Sequence, residues 1–203
     1  MPTVRPQLIE VVRDAYPETF EGVTPTKSLG ESVFSGRTPH PNEVLNLFVQ
    51  QGLTSALPMA YYMAARRGID SLTNKSLIQN ATLSPKILRS ALKGFVALRE
   101  LELNETYCLV LGSKVSHWCS SPNCPSRDAT GPRVTDAHKK VIDQITDPTR
   151  SGTKVLQVLV LSSIDEGVSG GFCESCVKGW EARHSEIRKR AWDTLSDVFG
   201  LRG

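Results

Sequence analysis

Four cysteines in two closely spaced pairs restrict this chain more than any other feature. Cys119 and Cys124 are separated by Ser-Ser-Pro-Asn, and Cys173 and Cys176 by Glu-Ser. Zinc takes four tetrahedral ligands, and a spacer of two to four residues lets one short turn supply two of them. If both pairs meet on one ion, residues 125–172 become a loop closed by metal, and the start of the segment after Cys176 is fixed. That segment opens in a helical pattern, which puts Cys176 in a first turn, where exposed N–H groups stabilise thiolate charge. The bland alternative is a set of buried or unliganded thiols, and the interval between the pairs is longer than in compact zinc fingers. His117, two residues before Cys119, is an alternative ligand or a neighbour of one, and the fifth cysteine, Cys108, is a bystander.

The setting favours metal over disulfide. No apolar run approaches the roughly 20 residues of a membrane span, and Met1-Pro-Thr-Val-Arg5 leads into no apolar signal core. The expectation is an intracellular protein of the cytoplasm or nucleus, where thiols stay reduced. With 39% hydrophobic and 22% charged residues, the 203-residue chain can bury a sizeable core. A net charge of +3 is too mild to point to nucleic acid, which requires clustered Lys and Arg.

Periodicity predicts a mostly α-helical fold. Leu8, Val11, Val12 and Ala15 share one face of a first helix that ends at Tyr16-Pro17, and residues 18–40 read as connector. Pro41–Gln51 places Val44, Leu45 and Phe48 inward, with Gly52 in the C-terminal cap position. A second helix runs from about Leu57 to Arg67, with Gly68 ending it, so the two make an αα-hairpin. Ser84-Pro85 is a strong start signal, a capping hydroxyl followed by proline at the first helical position. Ile87, Leu88, Ala91, Leu92, Phe95, Leu98 and Leu101 continue from it, and the pattern blurs near Asn104 before resuming to Leu111. This is one long helix or two in succession. Residues 113–134 form a polar loop carrying the first cysteine pair, and a short helix follows from Thr135 or Asp136 to Asp147. Val155–Leu161 is ambiguous between helix and strand and is assigned helix, because no other segment reads as a partner strand. The last helix has the clearest period. Val177, Trp180, His184, Ile187, Ala191, Leu195 and Val198 form a stripe, with Trp192 and Phe199 on its flank.

These features define an irregular helical bundle with a zinc-stabilised loop and a long final helix. Residues 1–112 form a helical-hairpin region and residues 113–203 a region organised by the cysteine pairs. The predicted ligands are Cys119, Cys124, Cys173 and Cys176, around one structural Zn²⁺. His184 lies about 12 Å beyond Cys176 along a helix, too far to share the ion, and reads as a packed core residue. His40 and His138 show no partner in the sequence. No catalytic cluster is visible, with no His-Glu-x-x-His, no Gly-x-Ser-x-Gly and no phosphate-binding glycine loop. Two alternatives stand beside a non-catalytic module. One is a zinc-dependent nucleic-acid-binding regulator, which the acidic residues interleaved on the last helix disfavour. The other is a thiol redox protein using Cys173 and Cys176, for which the strand before the helix is missing.

Several segments in order resemble the C-terminal region of fungal BTB/POZ-domain proteins. Ala15-Tyr-Pro17-Glu-Thr-Phe20 is similar to the segment that follows their BTB fold. Ala56-Leu-Pro-Met-Ala-Tyr-Tyr-Met-Ala64 resembles their Leu-Pro-x-Ala-x-Tyr helix. The cysteine pairs and Trp192-x-x-Leu195…Phe199-Gly-Leu201 resemble their tail, the most specific part of the match. Ser196 stands where the family usually has proline, and the BTB domain has no counterpart, since Met1 begins about where it would end. That implies a truncated product or a paralogue without the dimerising half. The resemblance implies a protein-interaction or scaffold role without catalysis, through protein partners, and the short apolar runs give no expectation of a membrane partner.

Overall fold

The computed structural model describes residues 16–22, 40–73, 82–111, 127–128, 131–132 and 173–202. Five helices carry it: α1 (Pro41–Gln51), α2 (Leu57–Ala65), α3 (Ile69–Thr73), α4 (Pro85–Leu111) and α5 (Glu174–Val198). A 3₁₀ turn at Phe20–Gly22 precedes them. Between α4 and α5, Arg127–Asp128 (β1) pairs antiparallel with Gly131–Pro132 (β2). The described part is therefore mostly helical, as the periodicity predicts. The predicted helices at 6–15, 135–147 and 155–161, and most of the 113–134 loop, lie outside the described residues.

Helix α2 sits at the centre. Every residue from Met59 to Ala65 is buried, and a helix apolar on all faces must be covered on all faces. Helices α1, α3, α4 and α5 all pack against it. Ala56, Ala60, Ala64 and Ala65 keep its girth small, while Met59, Tyr61, Tyr62 and Met63 fill the space between neighbours. Pro58 falls in the first turn, where a missing N–H costs no helical hydrogen bond.

The covering helices start and stop by local rules. Helix α1 ends at Gly52, whose left-handed φ of 66° lets the Leu53 N–H return to the Phe48 carbonyl at 3.0 Å. Helix α4 begins at Ser84, whose Oγ accepts the Ile87 N–H at 3.4 Å, and it is a single uninterrupted helix. Its inner stripe is Ile87, Ala91, Phe95 and Leu98, followed by Glu102, a buried carboxylate held by Arg99 Nη1 at 2.7 Å. Ile187, Ala191 and Leu195 bury the predicted face of α5, and Val198 and Trp192 are half-buried beside it. One hydrophobic core joins these residues to those of α1–α4, so it is continuous across the 1–112 and 113–203 segments.

Phe199, beside the α5 stripe in the sequence pattern, is fully buried in that core and stacked on Tyr61 with centroids 5.1 Å apart. Room for the ring comes from Gly94 on α4, where an added Cβ would fall under 3.0 Å from three Phe199 ring carbons. A mid-helix glycine costs about 1 kcal/mol relative to alanine, so Gly94 spends helix stability on this close approach.

Urea unfolding of a double-mutant cycle checks the contact. Phe199→Ala should lose about 3–5 kcal/mol, and Gly94→Ala about 1–3 kcal/mol through overpacking. In the Phe199→Ala background, Gly94→Ala should instead be neutral or stabilise by up to about 1 kcal/mol. An equal cost in both backgrounds would show that the ring does not occupy that space.

Candidate functional site

The N-terminal end of α5 is where the sequence places half of its metal site. Cys173 is the N-cap residue, extended at φ −76° and ψ 161°, and half-buried. Glu174 is then the first helical residue and Cys176 the third. N-cap and N3 are the two positions a capping box couples, each close enough to reach back to the other. The Cys-x-x-Cys spacing thus falls on a pair of positions suited to share one ligand, at a terminus whose unpaired amides favour negative charge. The rest of the predicted set, Cys119, Cys124 and the alternative ligand His117, lies outside the described residues, as do the side chains of Cys176, His184 and Cys108. Among the described residues no three His, Cys, Asp or Glu side chains gather as a ligand set.

The outward face of α5 is laced with ion pairs. Lys178 Nζ meets Glu174 Oε1 at 2.6 Å, Arg183 Nη1 meets Glu186 Oε2 at 2.8 Å, and Arg202 Nη1 meets Asp197 Oδ2 at 3.0 Å. Closer to the core, Arg188 lies 5.4 Å from the centroid of the Phe20 ring, a cation–π contact that ties the 3₁₀ turn to α5. Burial lowers the Arg188 pKa, and the nearby Tyr62 phenol opposes that shift.

The opposite end of α5 closes in a Schellman turn. Gly200 takes φ 67°, its N–H donates to Asp197 O at 3.0 Å, and the Leu201 N–H donates to Ser196 O at 2.7 Å. The turn swings Phe199 inward onto Tyr61 and sets Leu201 against the core that holds Leu195. Ser196 supplies the carbonyl of the longest-reaching bond in this turn. Aromatic contacts pair Tyr16 edge-on with Phe48, Phe20 with Arg188, and Tyr61 with Phe199.

A polar cluster at the start of α1 is absent from the sequence reading. His40 is the N-cap, with Nδ1 accepting the Asn42 N–H at 3.3 Å while Glu43 Oε2 accepts the His40 N–H at 3.1 Å. Nδ1 therefore carries no proton. The ring hydrogen is on Nε2, 3.3 Å from Ser71 Oγ on α3. Asn42, almost fully buried, donates through Nδ2 to the Ser71 carbonyl at 3.1 Å, and its Oδ1 has no donor among the described residues. Burial, and then the charge of Arg67, lower the His40 pKa, with Glu43 opposing. His-Pro-x-Glu at 40–43 is a capping box with an imidazole in place of the usual hydroxyl, and that pattern was the available signal.

No family model matches the chain, and neither well-characterised proteins nor solved structures provide a match. Among the described residues no helix is long and apolar enough to cross a membrane.

Tyr16 offers a check on this end of the core. Its burial raises the phenol pKa to about 12, with the Arg67 charge opposing. The folded state then keeps a proton that the unfolded chain releases above pH 10, so stability falls as pH rises from 10 towards 12. Tyr16→Phe keeps the ring against Phe48 and removes the titration. Between pH 10 and 12 the wild type should lose about 2 kcal/mol more than Tyr16→Phe; parallel pH profiles would mean that Tyr16 is not buried as described.

Proposed function

We propose that this protein is a non-catalytic protein-interaction or scaffold module, similar to the C-terminal region of fungal BTB/POZ-domain proteins, with one structural zinc held by Cys119, Cys124, Cys173 and Cys176. The observation that carries the reading is that Tyr16, Tyr61 and Phe199 share one core, with Phe20 tied to α5 through Arg188. Each of the three segments that resemble the family supplies side chains to that core, as expected of an architectural motif rather than an active site. The placement of Cys173 and Cys176 at N-cap and N3 of α5 supports a two-ligand contribution to a closed, four-thiolate site. Such a site contributes of order 10 kcal/mol to folding in small zinc-binding peptides. Here it would anchor the Cys173 end of a helix whose other end is fixed by Phe199.

The ion pairs along α5 favour this reading over a nucleic-acid binder, because Lys178, Arg183 and Arg202 already face carboxylates. A redox role for Cys173 and Cys176 would require a metal-free chain that folds fully and cycles between dithiol and disulfide.

Elemental analysis of protein purified without a metal-binding tag, paired with circular dichroism, tests the proposal. The expected result is about one zinc per chain, lost in Cys173→Ser and in Cys119→Ser together with helical signal. Full helicity after strict chelation, with no zinc bound beforehand, would refute the zinc site. A salt-sensitive shift of DNA at low ionic strength would favour the nucleic-acid alternative instead.

A further inference from the structure

We propose that His40 is a pH-sensitive latch that fastens the start of α1 to α3 at neutral pH and releases both on mild acidification. The geometry assigns each part. Nδ1 of the neutral ring accepts the Asn42 N–H and so caps α1, while Nε2–H donates to Ser71 Oγ on α3. The side chain of Asn42 adds a second tie from the same helix to the Ser71 carbonyl. These two hydrogen bonds from the start of α1 both end on Ser71, and one of them passes through a titratable ring.

The single ring site that can take up a proton is Nδ1, the atom already engaged as an acceptor. Protonation turns it into a donor facing the Asn42 N–H, so the cap bond is lost and the repelled ring leaves its place, carrying Nε2 away from Ser71 Oγ. It also places a cation at the positive end of the α1 dipole. The charged groups acting on the ring are Arg67, from the turn between α2 and α3, and Glu43 on α1 itself. Arg67 repels an imidazolium and Glu43 attracts it, while burial adds to the repulsion. The closed state thus holds the neutral ring, and its pKa lies below the ordinary histidine value. The sign follows directly. A proton binds the opened ring more readily than the closed one, so the latch is fully closed above the opened-ring pKa. It weakens as pH falls below about 6.5.

Helix α3 is the element this would free. It has five residues, and Leu72 is its one buried side chain. A helix that short has little stability of its own, so its position depends on such ties. The core around α2 has no part in the titration and should stay intact, so the transition is a local opening.

The test is NMR on the full chain, following the His40 ring and amide exchange from pH 7.5 to pH 5. His40 should titrate below the ordinary histidine value. The Asn42 and Leu72 amides should lose protection by up to about tenfold per pH unit below about 6.5, while Ala60 stays constant. His40→Asn supplies a cap without a titrating group, and the Asn42 profile should become flat. Ser71→Ala keeps the cap but removes the tie, so Leu72 should already be weakly protected at pH 7.5 while Asn42 still responds to acid. A His40 pKa at or above the ordinary value, or an unchanged acid response in His40→Asn, would overturn the latch. If His40→Asn does not fold, Ser71→Ala still decides: Leu72 protection equal to wild type at every pH overturns it.

Discussion

A helix with no polar face dictates this architecture. Met59 to Ala65 are buried on every side, and seven consecutive buried residues cannot be satisfied by one neighbouring element. Helices α1, α3, α4 and α5 each cover part of α2, although α5 lies far away in the sequence. The last helix is therefore not an appendage. Its Ile187, Ala191, Leu195 and Phe199 complete the enclosure, and their removal would expose Tyr61 and its surroundings to water. Gly94 follows from the same demand, since only a residue without Cβ leaves room for Phe199 beside Tyr61.

Much of the fold could be read from local chemistry. Ser84-Pro85 marked the start of α4, Gly52 the end of α1, and the apolar spacing of α5 its buried face. Where local pattern is less informative, one residue usually obscures a rule. The α4 pattern blurs where Glu102 takes the next inward position after Phe95 and Leu98, and its bond to Arg99 helps to make that burial tolerable. Helix α3 carries one buried side chain and is too short for periodicity to register. Phe199 belongs to no helical stripe. The Schellman turn at Gly200 directs it inward, and cap geometry does not follow from a 3.6-residue repeat. His40 was passed over because imidazole is an unusual cap, although proline at 41 and glutamate at 43 surrounded it with the expected partners.

The candidate metal site was legible in a different sense. Spacing alone singled out Cys173 and Cys176, and both fall at the start of α5, as N-cap and N3 residues. Whether four thiols converge depends on the first pair, which lies outside the described residues. On the proposed reading, α5 has a division of labour between its ends. The Phe199 end is secured by packing that any reducing or chelating condition leaves untouched. The Cys173 end would be secured by metal, and so would respond to zinc supply and oxidation. The residues between them, with their ion pairs on the outward face, form a rod held at both ends.

Hydrogen exchange along α2 and α5 tests this account most directly, measured on the full chain with and without a strong chelator. Enclosure of α2 predicts that Ala60 to Ala65 and Leu195 to Phe199 exchange together, at the slow rate of global unfolding, in both conditions. When metal is removed, the Cys173 end of α5 should lose protection, with the fall in helical signal that goes with it. Fast exchange of Leu195 to Phe199 beside a protected α2 would contradict it, because α2 would then be stable without the helix that is said to enclose it.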